Sequence, residues 1–367
     1  MIQSDIFFTG YYGQLNTGDD AFVEVASWGA NKFWNKEKLR FSAVSKKLPQ
    51  VQLPIRGYPL SLPKTYNFQQ GLLLNNTDYL ISAGGSTFQN EIKEGSLKSK
   101  AMCLQKKNKL KIGAIGVSIG PFKNTIEENS NIEYLKHMNF LTLRDKRSYD
   151  YVKTLDLPYE PIEAFDLAAL LPEIYGVPVK TNQNKKIIGV SLCNYERYIN
   201  GDVLNETRRN KEITQLLKEL DQKLGNVVFK FFIINGSQLR GDLKLTQETI
   251  QNVAFKNEVQ IERYNPKTKS VWNGIAACDF VLTTRLHAGI FACFANVPFM
   301  MVEYHKKCTD FLNDISQPLD YRLNDSKFDK DQILNFIQQI LDKNAIMPLF
   351  RQKMIDQAFF NFTKIEL

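Results

Sequence analysis

The chain has little of what builds metal centres, covalent frameworks or membrane spans. Five cysteines, Cys103, Cys193, Cys278, Cys293 and Cys308, are scattered among 367 residues, odd in number and without a CxxC pair. That excludes a disulfide scaffold or a zinc ribbon and points to reduced, buried thiols. Only three histidines occur, His137, His287 and His305, too far apart for HxxH or HExxH, so no metal site is expected. No apolar run reaches spanning length, and the opening MIQSDIFFTG holds too short an apolar stretch for a signal peptide. A cytoplasmic location is the expectation. Massed charge is missing too. The net charge of +8 is spread along the chain, which disfavours a nucleic-acid partner and suits small anionic substrates or an anionic membrane surface.

What is present is a regular rhythm. The length exceeds what one core usually holds, so two domains are expected. DIFFTG (5–10), RFSAVS (40–45), DYLISAGG (78–85), KIGAIGVSIG (111–120) and NFLTLRD (139–145) read as strands, with helical segments such as 19–36 and 96–108 between them. The rhythm pauses at GVPVKTNQNKK (176–186), a polar linker. It restarts with the strand IIGVSL (187–192) and an amphipathic helix over 209–224. The strands VVFKFFII (227–234), EVQIE (258–262), DFVLTT (279–284) and PFMMVE (298–303) follow. This alternation belongs to parallel sheets covered by helices. The expected fold is therefore α/β, with Rossmann-like domains over 1–175 and 187–327 and a C-terminal helical segment over 328–367. That is a GT-B-like pair facing across a cleft, with ligands beyond the carboxyl ends of the strands.

Three glycine-bearing turns follow strands of the first half. TGYYGQLNTGDDAF (9–22) holds Gly10, Gly13 and Gly18, with Asn16 and Thr17 ahead of a helix start. SAGGSTFQNE (82–91) holds Gly84 and Gly85, and GVSIGPF (116–122) repeats the design. Glycines let backbone N–H groups approach an anion, and a helix start favours negative charge. The first spacing is neither GxGxxG nor a P-loop, and an ordinary capped turn fits it equally well. LTLRDKRSYDYV (141–152) sets Arg144 and Asp145 at a strand end. They form either an ion pair that fixes the strand or a guanidinium fork for phosphate or carboxylate. Asp166, inside AFDLAALL (164–171), reads as a buried carboxylate that caps a loop.

TTRLHAGIFACFANVPFM (283–300) is the most pointed stretch. Arg285 and His287 stand two apart where a strand becomes a helix, and Ala288, Gly289, Ala292 and Ala295 let that helix press on its sheet. EYHKK (303–307) adds Tyr304, His305, Lys306 and Lys307, as a solvated basic loop or as part of the same site.

Together YYGQLNTGDDA, SAGGSTFQNE, GVSIGP, LRDKRS, FDLA and TTRLHAGIFACFANVPFMMVEYHKK resemble the polysaccharide pyruvyl transferases, in family order from about residue 10 to 307. The Arg-Leu-His block is the specific part. The resemblance implies a GT-B-like enzyme that moves pyruvate from phosphoenolpyruvate onto two hydroxyls of a sugar. That sugar would belong to a cell-surface polysaccharide or its lipid-linked precursor. Phosphate leaves, and no cofactor is implied beyond the donor. On this reading His287 handles protons and Arg285 assists catalysis, while Arg144, Asn16, Gly18, Gly84, Gly85 and Lys307 hold the donor. Two other classes stay open: a GT-B glycosyltransferase using a sugar nucleotide, and a non-catalytic glycan- or anion-binding protein. Lastly, AFVEVASWGANKFWNKEKLRF (21–41) interleaves Trp28, Phe33 and Trp34 with Lys32, Lys36, Lys38 and Arg40. It is either a core-packed first helix or a peripheral contact with the inner membrane face.

Overall fold

A computed structural model of the chain describes residues 2–179, 185–325, 329–342 and 344–367. It separates into two compact units, one of residues 1–14, 18–174 and 352–367, the other of residues 15–17 and 175–351. Residues 180–184 of the expected linker, and the expected boundary at 327–328, lie outside the described residues.

The first unit alternates strands and helices in the order β1 (Ser4–Thr9), α1 (Thr17–Trp34), β2 (Leu39–Val44), β3 (Ile55–Tyr58), α2 (Tyr66–Leu74), β4 (Thr77–Phe88), α3 (Leu97–Gln105), β5 (Lys111–Ile119), α4 (Thr125–Lys136), β6 (Phe140–Leu143), α5 (Lys146–Val152), β7 (Ile162–Glu163) and α6 (Leu171–Tyr175). The sheet order is β3-β2-β1-β4-β5-β6-β7, with every pairing parallel. Ile6, Phe7, Phe8, Leu80, Ile81, Ile112 and Leu141 are fully buried. Strands covered on both faces read as continuous apolar runs, which is why these were visible in the sequence. The edge strands β3 and β7 were not. IRGY is short and lies between Pro54 and Pro59, and β7 has two residues.

The second unit holds β8 (Lys186–Ser191), α7 (Val203–Lys223), β9 (Val227–Phe232), α8 (Leu243–Val253), β10 (Glu258–Glu262), α9 (Thr268–Ala276), β11 (Phe280–Thr283), α10 (Leu286–Phe294), β12 (Phe299–Val302), α11 (Lys306–Asp314), β13 (Arg322–Leu323) and α12 (Lys330–Leu341). Its sheet runs β10-β9-β8-β11-β12-β13, again parallel throughout. In both sheets the loops that could carry function gather at the carboxyl ends.

The C-terminal helical segment is not one body. α12 drives Ile333, Leu334, Ile337, Ile340 and Leu341 into the second unit's core beside Leu216, Leu220 and Met300. The last helix, α13 (Arg351–Thr363), belongs instead to the first unit. There Phe362 stacks on Phe33 at 5.8 Å and lies 5.2 Å from Trp34, while the Trp34 indole N–H donates to the carbonyls of Phe362 and Ile365. A Cβ on Gly29 would sit 2.2 Å from the Phe362 ring, so the close approach requires glycine.

This corrects the membrane reading of residues 21–41. Trp34 is buried, Trp28 and Phe33 pack on Phe359 and Phe362, and Arg40 is buried with a hydrogen bond to the Gly57 carbonyl. The aromatic stripe is a helix–helix seam.

Phe362→Ala should destabilise the first unit by about 3–5 kcal/mol through cavity formation. Urea unfolding followed by the fluorescence of Trp28 and Trp34 measures it. A loss below about 1 kcal/mol would mean that α13 is not an integral part of that core.

Candidate functional site

In the first unit Arg144 leaves the end of β6 and meets groups from β4, β5 and the loop after β7. Its Nε donates to Ser118 Oγ at 2.7 Å, Nη1 to Asp166 Oδ2 at 2.9 Å and Nη2 to Ser86 Oγ at 3.2 Å. Asp166 also accepts the Ala168 N–H at 2.9 Å, so it caps its loop as expected and in addition holds the arginine. Burial pushes the Asp166 carboxyl above its ordinary value, and the Arg144 charge pulls it back. Asp145 is not the arginine's direct partner. It accepts from Ser118 Oγ and caps α5 through the Ser148 N–H at 2.8 Å.

Gly84 and Gly85 precede Ser86 with φ of +73° and +77°. A Cβ on Gly84 would strike the Phe22 ring at 2.4 Å. The irregular stretch of β4 that aims Ser86 at Arg144 therefore depends on glycine twice, for conformation and for space. Lys98 reaches the same strand end. Its Nζ donates to the Thr87 carbonyl at 2.7 Å and lies 3.7 Å above the Phe88 ring, and burial lowers its pKa to about 7.

Residues 116–120 spell Gly-Val-Ser-Ile-Gly, the GxSxG spacing of a nucleophile elbow, which a reading by motif should have weighed. The geometry argues against that role. Ser118 lies within β5, and its hydroxyl bonds to Asp145 and Arg144 rather than to a histidine.

In the second unit Arg285 follows β11 and is the N-cap residue of α10. Its Nε lies 3.0 Å from both carboxylate oxygens of Asp242, and Nη2 donates to Oδ1. Asp242 is fully buried and accepts the Asn235 N–H at 2.8 Å. Burial raises its pKa, opposed by Arg285. For Arg285 burial works against the charge, but Asp242 outweighs it and holds the guanidinium above its ordinary value. With one edge occupied by Asp242, the guanidinium keeps Nη1 for another acceptor.

The turn after β9 that anchors Asp242 also receives residues 15–17. Asn16 bridges Asn235, the Thr17 N–H donates to the Ile234 carbonyl at 2.9 Å, and the Gly236 N–H donates to the Leu15 carbonyl at 2.8 Å. His287 lies in the first turn of α10, two residues past Arg285, and is half-buried. Past β12, His305 caps α11 by accepting the Lys307 N–H on Nδ1 at 3.1 Å, so this nitrogen carries no proton. Tyr195 meets His305 edge-on at 4.9 Å and Tyr304 at 5.5 Å. Lys307 Nζ lies 5.9 Å from the Tyr195 ring. Burial raises the Tyr304 phenol well above its ordinary range.

Of the expected residues, Arg285, His287, Asn16 and Lys307 belong to the second unit, and Arg144, Gly18, Gly84 and Gly85 to the first. The structure connects Asn16 to Arg285 through Asn235 and Asp242, and Gly84 and Gly85 to Arg144 through Ser86. Asp242 was missed because an aspartate ahead of a helix reads as an ordinary cap. Tyr195 carried no signal at all. Among the described residues no group of three or more His, Cys, Asp or Glu is placed to hold a metal ion.

Two parallel Rossmann-like sheets at these lengths define a GT-B-like fold, and solved structures share it. A putative UDP-N-acetylglucosamine 2-epimerase from Listeria monocytogenes superposes with a TM-score of 0.61 at 9% identity, covering 98% of this chain and 94% of that one. S. aureus MnaA with UDP gives 0.61 at 12%, covering 100% and 99%. The Neisseria meningitidis UDP-GlcNAc 2-epimerase bound to UDP-GlcNAc gives 0.60 at 10%, covering 98% and 96%. At such identities the likeness is one of fold. The chain belongs to the polysaccharide pyruvyl transferase family, whose profile matches residues 16–306. No curated protein matches it.

Asp242→Ala should cost about 3–5 kcal/mol, because it strands a guanidinium that is largely shut off from water. Asp242→Asn keeps an acceptor and the side-chain shape and should cost less. Urea unfolding of both variants checks this. Equal losses below about 1 kcal/mol would class the pair with surface bridges.

Proposed function

We propose that this enzyme transfers the pyruvyl group of phosphoenolpyruvate to two hydroxyls of one sugar residue in a cell-surface polysaccharide or its lipid-linked precursor. The observation that carries the reading is the Arg285 fork, aimed by a buried carboxylate at the start of the helix bearing His287, inside the segment matched by the family.

The chemistry asks for what this cluster can supply. Phosphoenolpyruvate carries about three negative charges near neutral pH, since the second pKa of a phosphate ester is about 6. Protonation at C3 turns C2 into an oxocarbenium centre, and a sugar hydroxyl adds there and loses its proton. The bond from C2 to the phosphate oxygen then breaks and phosphate leaves. A second hydroxyl adds at the regenerated oxocarbenium and loses its proton, which closes the ketal. One hydroxyl proton balances the new C3–H bond and the other leaves with phosphate.

His287 is the group assigned to proton transfer, which near-neutral imidazole suits. Arg285 is assigned to the donor's anionic end, where a planar fork matches phosphate or carboxylate. Arg144, Asn16, Gly18, Gly84, Gly85 and Lys307 are the further donor-binding candidates. Arg144 has Nε, Nη1 and Nη2 already engaged, so it contributes through its remaining N–H groups and its charge. The donor needs no further cofactor on this reading, and the reaction would run on the cytoplasmic side.

Phosphate release from phosphoenolpyruvate should require a glycan acceptor, and mass spectrometry should show that acceptor gaining a pyruvyl group. Turnover of UDP- or GDP-sugars without any such gain would replace the proposal by the sugar-nucleotide reading. Binding of donor without turnover on a broad acceptor panel would favour a non-catalytic protein.

His287→Ala and Arg285→Ala should fail differently. Losing Arg285 should weaken donor binding by about 1.5–3 kcal/mol, with poor rescue by lysine. Losing His287 should lower the rate about 10²–10⁴-fold with donor affinity little changed, and should remove one limb of the wild-type pH–rate curve. Isothermal titration and pH–rate profiles separate the two. A His287→Ala variant that keeps more than roughly a tenth of the rate, or the full pH profile, refutes the acid–base assignment.

A further inference from the structure

From residue 38 to 77 the sequence contains no aspartate or glutamate but six lysines and arginines, Lys38, Arg40, Lys46, Lys47, Arg56 and Lys64. All but Arg40 are exposed. The same segment holds the first unit's most prominent exposed apolar group. Leu60 is 50% exposed, Leu62 60% and Phe68 73%, with Leu72 beside Phe68 one turn along α2.

These side chains are held in water by a built loop. Pro59 and Pro63 bracket Leu60 and Leu62 and fix the backbone on either side. The buried Gln69 side chain accepts the Leu60 N–H at 2.9 Å and donates to the Leu60 carbonyl at 3.1 Å and to Thr65 Oγ1 at 2.8 Å. Thr65 in turn bonds the Leu62 carbonyl through its hydroxyl at 2.7 Å and its N–H at 3.0 Å. Lys100 from α3 adds a further ammonium 3.1 Å from the Asn67 carbonyl. A loop whose polar groups are spent inward, and whose leucines point into solvent, is preorganised for an apolar partner.

We propose that the β3–α2 loop and α2 form a docking surface for an anionic lipid bilayer, with Leu60, Leu62 and Phe68 entering the headgroup boundary and Lys46, Lys47, Arg56 and Lys64 meeting the lipid phosphates. Apolar insertion combined with a segment that carries cations and no carboxylates is the signature of interfacial binding to such membranes. The surface lies at the carboxyl end of β3, the same end of the sheet from which Arg144 and Ser86 project. Three strand spacings, roughly 15 Å, separate β3 from β4 across the sheet. A lipid-borne acceptor held in that membrane would arrive at the functional rim of this unit. The inference concerns binding and does not depend on which reaction follows.

Co-sedimentation with phosphatidylglycerol–phosphatidylcholine vesicles, against phosphatidylcholine alone, tests it. Wild type should bind the anionic vesicles and release them in high salt. Leu62→Ser combined with Phe68→Ser should weaken binding at least tenfold with the melting temperature unchanged, since both side chains are exposed. Lys46→Gln, Lys47→Gln and Lys64→Gln together should weaken it about a hundredfold, at about fivefold per charge (~1 kcal/mol each). Lys32→Gln on α1 with Lys36→Gln just past its end should change nothing. No binding to anionic vesicles, or binding indifferent to the Leu62 and Phe68 changes, overturns the proposal. So does a lipid-free dimer in analytical ultracentrifugation that those two changes dissolve, which would give the surface to a second copy of the chain.

Discussion

A guanidinium removed from water keeps its charge, so an arginine shut off from solvent is best compensated by a carboxylate that is itself anchored. Both units meet this constraint in the same way. Arg144 and Arg285 each stand just past an inner parallel strand, and each is held by an aspartate far away in sequence, Asp166 or Asp242. Each aspartate is pinned by a backbone N–H, from Ala168 or Asn235. The two rims are organised around these pairs. Ser86, Ser118 and the Gly84–Gly85 stretch converge on the first, and residues 15–17 dock on the turn that carries the second. Burial penalises both charges in each pair, and this makes the geometry unforgiving. A low-dielectric pair tolerates little displacement before its attraction falls short of the desolvation cost.

The sequence showed the strands well and the pairs hardly at all. Buried parallel strands announce themselves as uninterrupted apolar runs, so the ten strands read from pattern were found within a few residues. The two-residue strands β7 and β13 hold no period to detect, and β3 is bracketed by prolines. Arg144 and Arg285 were legible from their position at strand ends beside family motifs. Their partners were not, because nothing in a lone Asp166 or Asp242 says which arginine lies opposite once the chain has crossed the sheet. Composition left residues 21–41 open between two readings, and burial decides for the core-packed helix. Trp28, Phe33 and Trp34 among lysines match an interfacial helix in composition, yet those rings face Phe359 and Phe362. The exposed leucines between Pro59 and Pro63 look like an unremarkable loop until the Gln69 clamp is seen.

The family supplies the reaction class, and the local geometry shows what several of the candidate side chains already hold. Arg285 offers one face because Asp242 occupies the other. Arg144 is engaged on three nitrogens, and Ser118 is tied between Asp145 and Arg144. His305 has its Nδ1 lone pair committed to a backbone N–H, and His287 stands in the first turn of α10, two residues past Arg285.

The return of α13 to the first unit has a consequence for how the protein is made. Residues 1–174 leave the ribosome first, yet the seam around Trp28, Phe33 and Trp34 stays open until residues 352–367 are synthesised. The second unit is complete by residue 351, so the part begun later can be finished earlier. During that interval the nascent first unit exposes an aromatic stripe to solvent. α13 then covers that stripe.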